Sequence, residues 1–267
     1  MRKLVLPGRI MFALCIISLG VLQYFAGDYI VGRPPSPEWS ATIPGKLIWA
    51  YVSGALLIIA GIAIILKIRG AFASLFIAAL IIVASFLLRN LPVMTTAGKA
   101  EDLLWFINAY KALALAGGAM IIAASLYKES NYDSTGILKN KNLIGVGCFL
   151  LALFFIICGL SHFKFFDFVA HGFIPSYIPA QSFWTYFTGV ALLAGGVGLL
   201  IKPLRQWAAF FSGLMILLWF LLLHIPRLTY TPKEYGEWMG VFESFGFSGI
   251  CFVLAGLFSG QRRISKI

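Results

Sequence analysis

The feature that most constrains this chain is a series of eight apolar runs, separated by charged residues, Pro and Gly. Each run is close to the roughly 20 residues that a helix needs to cross a bilayer. The runs cover residues 10–25, 46–66, 71–88, 103–126, 143–163, 182–201, 207–224 and 238–258. Backbone groups in hydrocarbon are satisfied only within helices or closed barrels, and these runs lack the alternation of barrel strands. We therefore expect an all-α integral membrane protein with eight transmembrane helices.

The composition leaves no room for a soluble domain. Hydrophobic residues make up 60% of the 267 residues and charged residues 12%, against about 25% charged in ordinary globular domains. Disordered, fibrous and disulfide-stapled secreted classes are thereby excluded. The four cysteines lie inside apolar runs without a CxxC motif, so neither a disulfide framework nor a thiol redox site is indicated.

The formal net charge of +11 is concentrated on one side of the predicted membrane spans. The two termini and the connections 2/3, 4/5 and 6/7 carry thirteen basic residues and two acidic ones, whereas the rest of the chain carries eight of each. The positive-inside rule therefore places both termini in the cytoplasm. Because the whole excess is explained in this way, the charge gives no support to a nucleic-acid partner.

An internal repeat divides the chain into two halves. At an offset of 135, the Pro, Trp, Tyr, Gly and Lys residues of the second run recur in the sixth: Pro44, Trp49, Tyr51, Gly54, Gly61 and Lys67 match Pro179, Trp184, Tyr186, Gly189, Gly196 and Lys202. The first and fifth runs match at an offset of 139, and Glu101 and Trp105 match Glu234 and Trp238 at 133. The repeat predicts four-helix units at 1–126 and 143–267, joined by a cytoplasmic linker, 127–142. Because each unit has an even number of spans, the two units run parallel about an axis along the membrane normal.

The second unit resembles a known family. The segments 159–163 (GLSHF), 174–179 (IPSYIP), 186–190 (YFTGV) and 195–200 (GGVGLL) are similar to the DoxX-like family of bacterial integral membrane proteins. The resemblance implies a four-helix membrane bundle per unit, a multi-pass location in the bacterial cytoplasmic (inner) membrane and an association with membrane redox complexes. Family members often carry a glutamate shortly after the TGV segment, where this chain has Leu192, and Leu57 in the first unit.

Three histidines cluster at the outer end of the second unit. His162 ends the fifth run and His224 the seventh, with His171 in the loop between the fifth and sixth. Two imidazoles at one depth could hold haem or a metal, or hydrogen-bond a quinone; the alternative is an interhelical hydrogen bond. Gln23 and Asn90 stand at the equivalent places in the first unit, which favours the hydrogen bond.

Two ionisable residues lie deeper in the runs, at nearly equivalent positions of the two units: Lys111 and Glu243. Charges within a membrane segment are costly and often functional. One interpretation is a buried pair lining a polar cavity between the units. The interpretation that the sequence favours is that Lys111 reaches outward or meets Asp28, while Glu243 meets Arg227 or a histidine.

Asp28 and Asp167 recur where the first and fifth runs end, and we expect their carboxylates to cap the short segments that follow. Pro175 and Pro179 predict that 174–179 lies at the surface without forming a ninth helix. The aromatic loop around it is expected to roof a pocket floored by helices five and seven. The hypothesis is that His162 and His224 lie there within direct or water-bridged hydrogen-bonding reach.

No catalytic residue or metal site is assigned, and the sequence favours a non-enzymatic role. Candidate pocket residues are the ionisable ones named above: His162, His224, Asp167, His171, Glu243 and Lys111. No cofactor is expected, with quinone or haem left open. The leading hypothesis is a non-catalytic or quinone- and lipid-facing accessory subunit of a membrane redox system, whose partners are the lipid bilayer and a membrane redox protein. The alternative is a small-solute transporter or channel with a cavity between the repeats.

Overall fold

The computed structural model describes residues 1–31, 43–96, 106–127 and 142–259. Most of the expected linker, together with Glu101 and Trp105, lies outside these residues. The described part is entirely helical and contains no strand. It holds eight helices that are long and apolar enough to cross a membrane. These are α1 Arg2–Ala26, α2 Lys46–Ile65, α3 Gly70–Asn90, α4 Ile107–Tyr127, α5 Asn142–Lys164, α6 Gln181–Leu200, α7 Arg205–Tyr230 and α8 Tyr235–Phe258.

Two helix ends extend well beyond the expected apolar runs, and side chains from other parts of the chain bond their polar groups. In α1, Arg9 is buried: its Nε donates to the Ser125 hydroxyl at 2.9 Å and its Nη2 to the Ser125 carbonyl at 2.5 Å. In α7, Pro226 has no N–H for the Leu222 carbonyl four residues earlier. The Tyr177 hydroxyl donates to that carbonyl instead, so α7 continues past the proline.

The helices are arranged with α4 and α8 at the centre. α8 packs on α1, α7 and α4; α4 packs on α5, α3 and α8; α2 covers α1, and α6 covers α5. In the most apolar stretch of both α4 and α8, 78% of the residues are buried, against 28% in α7. The outer helices therefore present broad apolar surfaces, and the inner pair forms the core.

Glycines set the closest helix contacts in this core. A Cβ added to Gly8 would lie 2.5 Å from the Gly249 carbonyl, and one added to Gly147 would lie 2.5 Å from the Gly117 carbonyl. No real side chain fits at that distance, so only glycine permits α1 to meet α8, and α5 to meet α4, at these depths. The same close glycine contact thus occurs twice, once between α1 and α8 and once between α5 and α4.

The third and seventh helices change form near one end. The segments Ile81–Asn90 of α3 and Phe220–His224 of α7 are π-helical. Short α-helical turns, Leu91–Thr96 and Ile225–Tyr230, follow them. A π-helical turn closes with i→i+5 hydrogen bonds, so residues beyond it do not keep the register that an α-helical spacing predicts.

The loop between α5 and α6 contains a short π-helical segment, Phe168–Phe173. The following residues, 174–179, form turns, with the Ile178 N–H donating to the Pro175 carbonyl at 3.0 Å. The prediction that this stretch forms no ninth helix is confirmed. Val169, Ile174 and Leu223 form a small buried cluster that fixes the loop to α7.

Candidate functional site at the His224 end

His224 ends the π-helical turn of α7, and its ring lies against α8. A Cβ added to Gly240 would be 2.7 Å from His224 Nδ1, so the glycine provides the space for the imidazole. The Phe173 ring meets the imidazole edge-on, with centroids 5.8 Å apart. Within the described part of the chain neither ring nitrogen makes a hydrogen bond, and Nδ1 is also sealed from solvent.

Arg227 holds the loop over this ring. Its guanidinium binds both Glu237 carboxylate oxygens, at 2.9 and 2.5 Å, and donates to the Phe173 carbonyl at 2.7 Å and the Gly172 carbonyl at 3.2 Å. It also lies over the Phe173 ring, 4.8 Å from the centroid. Arg227 thus ties α7, α8 and the loop together and keeps Phe173 against His224.

The sequence did not identify the partner of Arg227; it suggested that Glu243 meets Arg227 or a histidine. The interpretation that Glu243 meets Arg227 or a histidine is wrong, because Glu243 pairs with Lys111 and Arg227 pairs with Glu237 in the first turn of α8. A sequence signal existed: Arg227 and Glu237 flank the short connection between two consecutive helices, so both reach the same end of the bundle.

His162 lies at the end of α5 but uses its ring locally. Its Nδ1 is 2.8 Å from the carbonyl of Cys158, and the ring stacks on Trp219 of α7 at 6.3 Å. No direct hydrogen bond joins His162 to His224 in the described structure, so the direct form of the expected contact is absent. The π-helical turn just before His224 directs that ring to α8 instead. A water-bridged contact stays a prediction.

The equivalent polar residues of the first half also bond elsewhere. Gln23 donates to the Ala50 carbonyl and the Ser53 hydroxyl of α2, each at 2.9 Å. Asn90 donates to the Ser85 carbonyl at 2.6 Å within its own helix. Both amide nitrogens therefore donate hydrogen bonds, whereas Gln23 Oε1 and His224 Nδ1 are buried without a hydrogen-bond partner in the described structure.

His171 and Asp167 are both exposed beside this site. The His171 ring meets Phe166 edge-on, with centroids 6.4 Å apart. Asp167 precedes the π-helical segment, but its carboxylate makes no capping hydrogen bond, so the capping prediction is wrong there. Asp28, its counterpart, accepts from the Tyr29 N–H at 2.7 Å and pairs with Lys46 at 3.7 Å.

Lys111 and Glu243 form a direct ion pair, with Nζ and Oε2 2.6 Å apart. Lys111 belongs to α4 and Glu243 to α8, so the pair crosses the contact between the two central helices. The Glu243 side chain is 4% exposed. The two positions lie 132 residues apart, the same separation as Gly117 and Gly249. Of the first sequence interpretation, a buried pair lining a polar cavity between the units, the pair is observed, and the cavity stays a prediction.

The site around His224 is built from an imidazole, an aromatic ring and a bidentate ion pair. Because Nδ1 is sealed against α8, Nε2 is the nitrogen left to meet a bound molecule. A neutral imidazole with its proton on Nε2 donates one hydrogen bond to a carbonyl oxygen. The described residues contain no group of three or more His, Cys, Asp or Glu placed to hold a metal ion. Comparison with family models, curated proteins and solved structures finds no match for this chain.

Proposed function

We propose that the eight helices cross the bacterial cytoplasmic membrane, with both termini in the cytoplasm. The supporting observation is the apolar surface of the outer helices, where large side chains are exposed that a soluble protein would bury. Examples on α2, α3, α6 and α7 are Ile48, Ile59, Leu88, Val190, Phe211 and Leu222. The asymmetric distribution of basic residues supports the orientation.

We propose further that the halves are parallel copies of a DoxX-like four-helix unit. In the first half a Cβ added to Gly20 of α1 would lie 2.7 Å from the Gly54 carbonyl oxygen of α2. In the second half a Cβ added to Gly159 of α5 would lie 2.8 Å from the Gly189 carbonyl oxygen of α6. These glycines match at the offsets 139 and 135 that relate the two sequences.

The remaining helix contacts support the same relation. Every described pair has a counterpart under the exchange of α1–α4 with α5–α8: α1 with α8 corresponds to α5 with α4, and α8 with α7 to α4 with α3. The contact between α4 and α8 corresponds to itself, as expected for a contact on the proposed axis. Lys111 and Glu243 are equivalent positions that meet there, as expected only for residues close to a twofold axis.

For function, we propose a non-catalytic, quinone-facing accessory subunit of a membrane redox system. The observation that carries the proposal is the imidazole of His224, which makes no hydrogen bond within the described chain and is framed by Phe173. A quinone presents a flat ring to an aromatic side chain and a carbonyl oxygen to an imidazole N–H. Loop 168–173 would cover the ring, and the isoprenoid tail would leave along the apolar surface of α7.

The test is equilibrium binding of ubiquinone-1 to the purified protein in detergent, followed by quenching of tryptophan fluorescence. We expect His224→Phe to weaken binding about tenfold, since it removes one hydrogen bond in a low-dielectric site while keeping an aromatic ring. His171→Phe is the matched control, because His171 is an exposed histidine of the same loop region. Asn90→Leu, which changes the equivalent position of the first half, is a second control and should leave quinone binding unchanged.

Equal binding by wild type and His224→Phe would remove the quinone site from this end of the molecule. A similar loss in His171→Phe would mean that the effect belongs to the loop surface as a whole. Impermeant labelling of a cysteine placed at Ser134, tested on intact cells and on inverted vesicles, checks the membrane orientation independently of any ligand.

A further inference from the structure

A groove of about 350 Å³ opens between α2 and α3, in the half of the sequence that does not contain His224. One wall is the face of α2 from Leu56 to Ala63, and the other is the face of α3 from Phe72 to Phe76. Ile59, Phe72 and Phe76 are all exposed. The groove is therefore an apolar channel on the outer surface of the helices, within the roughly 300 to 1,000 Å³ of small-molecule sites.

The second half fills the corresponding place with helix contact. There a Cβ on Gly195 would lie 2.4 Å from the Ser212 hydroxyl, and one on Gly198 would lie 2.7 Å from the Ala208 side chain. These glycines match Ala60 and Ala63 at the offset of 135. In the first half, the methyl groups of both alanines line the groove instead.

A cation stands at the mouth of this groove. Arg69, in the turn between α2 and α3, lines it, is exposed, and has a φ of 49° in the left-handed region. Its guanidinium makes no ion pair or hydrogen bond within the described residues. At the same turn of the second half, Arg205 instead donates to the Leu199 carbonyl at 2.8 Å. Lys67, also left-handed at φ 58°, adds a second cation to the first-half turn.

We propose that the groove binds one anionic phospholipid of the bilayer. One acyl chain lies along α2 and α3, and the phosphate is held by the Arg69 guanidinium, whose planar donors match a phosphate. The inference rests on the proposed membrane insertion, which puts this turn at the cytoplasmic surface among the lipid phosphates. Charge complementarity selects the anionic headgroup, and the apolar walls select a lipid over free phosphate.

The experiment is native mass spectrometry of the detergent-solubilised protein with added phosphatidylglycerol or phosphatidylcholine of matched acyl chains. For wild type we expect one tightly retained phosphatidylglycerol. Arg69→Gln should lower its retention about fivefold, as expected for one basic residue at the lipid surface. Lys202→Gln is the matched control, since Lys202 is an exposed cation on the corresponding turn of the second half.

A second variant tests the acyl-chain part of the site. Ala63→Leu places a larger side chain in the groove and should reduce retention of both lipids, with an unchanged melting temperature as evidence of folding. Unaltered phosphatidylglycerol retention in Arg69→Gln, or an equal loss in Lys202→Gln, would overturn the proposal. Added inorganic phosphate that competes as well as the lipid would also overturn it. Sedimentation of the protein with membranes before solubilisation tests membrane insertion separately from lipid binding. A protein that does not sediment with membranes would contradict the proposed insertion.

Discussion

The two halves differ most in the loops that follow α1 and α5. In the first half the described start of the loop is inside: Tyr29, Ile30 and Val31 are fully buried. Ser85 of α3 donates to the Val31 carbonyl at 2.8 Å, and Arg89 of the same helix lies 5.4 Å from the Tyr29 ring centroid. The third helix thus holds residues 29–31 of this loop from within.

In the second half the loop is partly at the surface, although Val169 and Ile174 are buried. Phe168 is 67% exposed, and Arg227 of α7 holds Phe173 through its carbonyl and its ring. An arginine of the third helix of each half therefore binds the loop after the first helix, but Arg227 lies one residue after Pro226 and Arg89 three before Pro92. The two arginines therefore hold their loops from different positions relative to the proline of each helix.

The two halves therefore share one arrangement of helices but differ in the loops at one end. The helix contacts of both halves rest on matched glycines, and these tolerate little change. The loops depend on a few polar side chains, which have changed position between the halves. A ligand site is thus expected where the loop is external, and the buried loop of the first half serves as its natural control.

The largest effect is expected at Lys111 and Glu243, the equivalent positions that carry opposite charges. Lys111→Met leaves the Glu243 carboxylate in a buried site without its cation, and removal of one partner of such a pair costs about 3 to 5 kcal/mol. We expect a strongly lowered melting temperature in detergent, measured by scanning fluorimetry. The double variant Lys111→Met, Glu243→Leu should recover most of the loss, because no buried charge is left.

A charge exchange sharpens this test. Because the two positions lie close to the proposed axis, Lys111→Glu combined with Glu243→Lys should be far more stable than either single change, which places like charges together. Single changes as stable as the wild type would show that the pair contributes nothing to the contact between α4 and α8.

The glycine contacts come next in size. Gly147→Ala should destabilise the protein by about 1 to 3 kcal/mol, the cost of overpacking a close contact, since the new methyl would lie 2.5 Å from the Gly117 carbonyl. Gly8→Ala should cost a similar amount against Gly249. Gly145→Ala, two residues away on the same helix, is the control: nothing lies within 4 Å of its Cβ position, and alanine favours the helix. Unequal effects of Gly8→Ala and Gly147→Ala would break the equivalence of the halves.

The sequence predicted the framework well because hydrophobic length and glycine matches are local signals. Each of the eight runs corresponds to one of the helices, with described boundaries that differ by a few residues, and the proline-bounded stretch 174–179 is not helical. The polar partners were harder to predict, since Arg9 and Arg227 reach other elements over distances that depend on helix rotation. The π-helical turn before His224 changes that rotation, and an apolar run does not reveal it.

The smallest effect concerns Tyr29, whose burial in the first-half loop raises the pKa of its phenol to about 12, against the partly opposing influence of Ser85 and Arg89. Between pH 10 and 12 the unfolded chain loses this proton while the folded one keeps it, so stability falls as pH rises through that window. By pH 11 the loss amounts to about 1 kcal/mol. Tyr29→Phe removes the titrating group, and its melting temperature should decline less between pH 9.5 and 11 than that of wild type. Tyr230→Phe, at a side chain that is 73% exposed, should follow the wild-type slope. Identical slopes for wild type and Tyr29→Phe would show that the first-half loop admits water, and the contrast between the two loops would then fail.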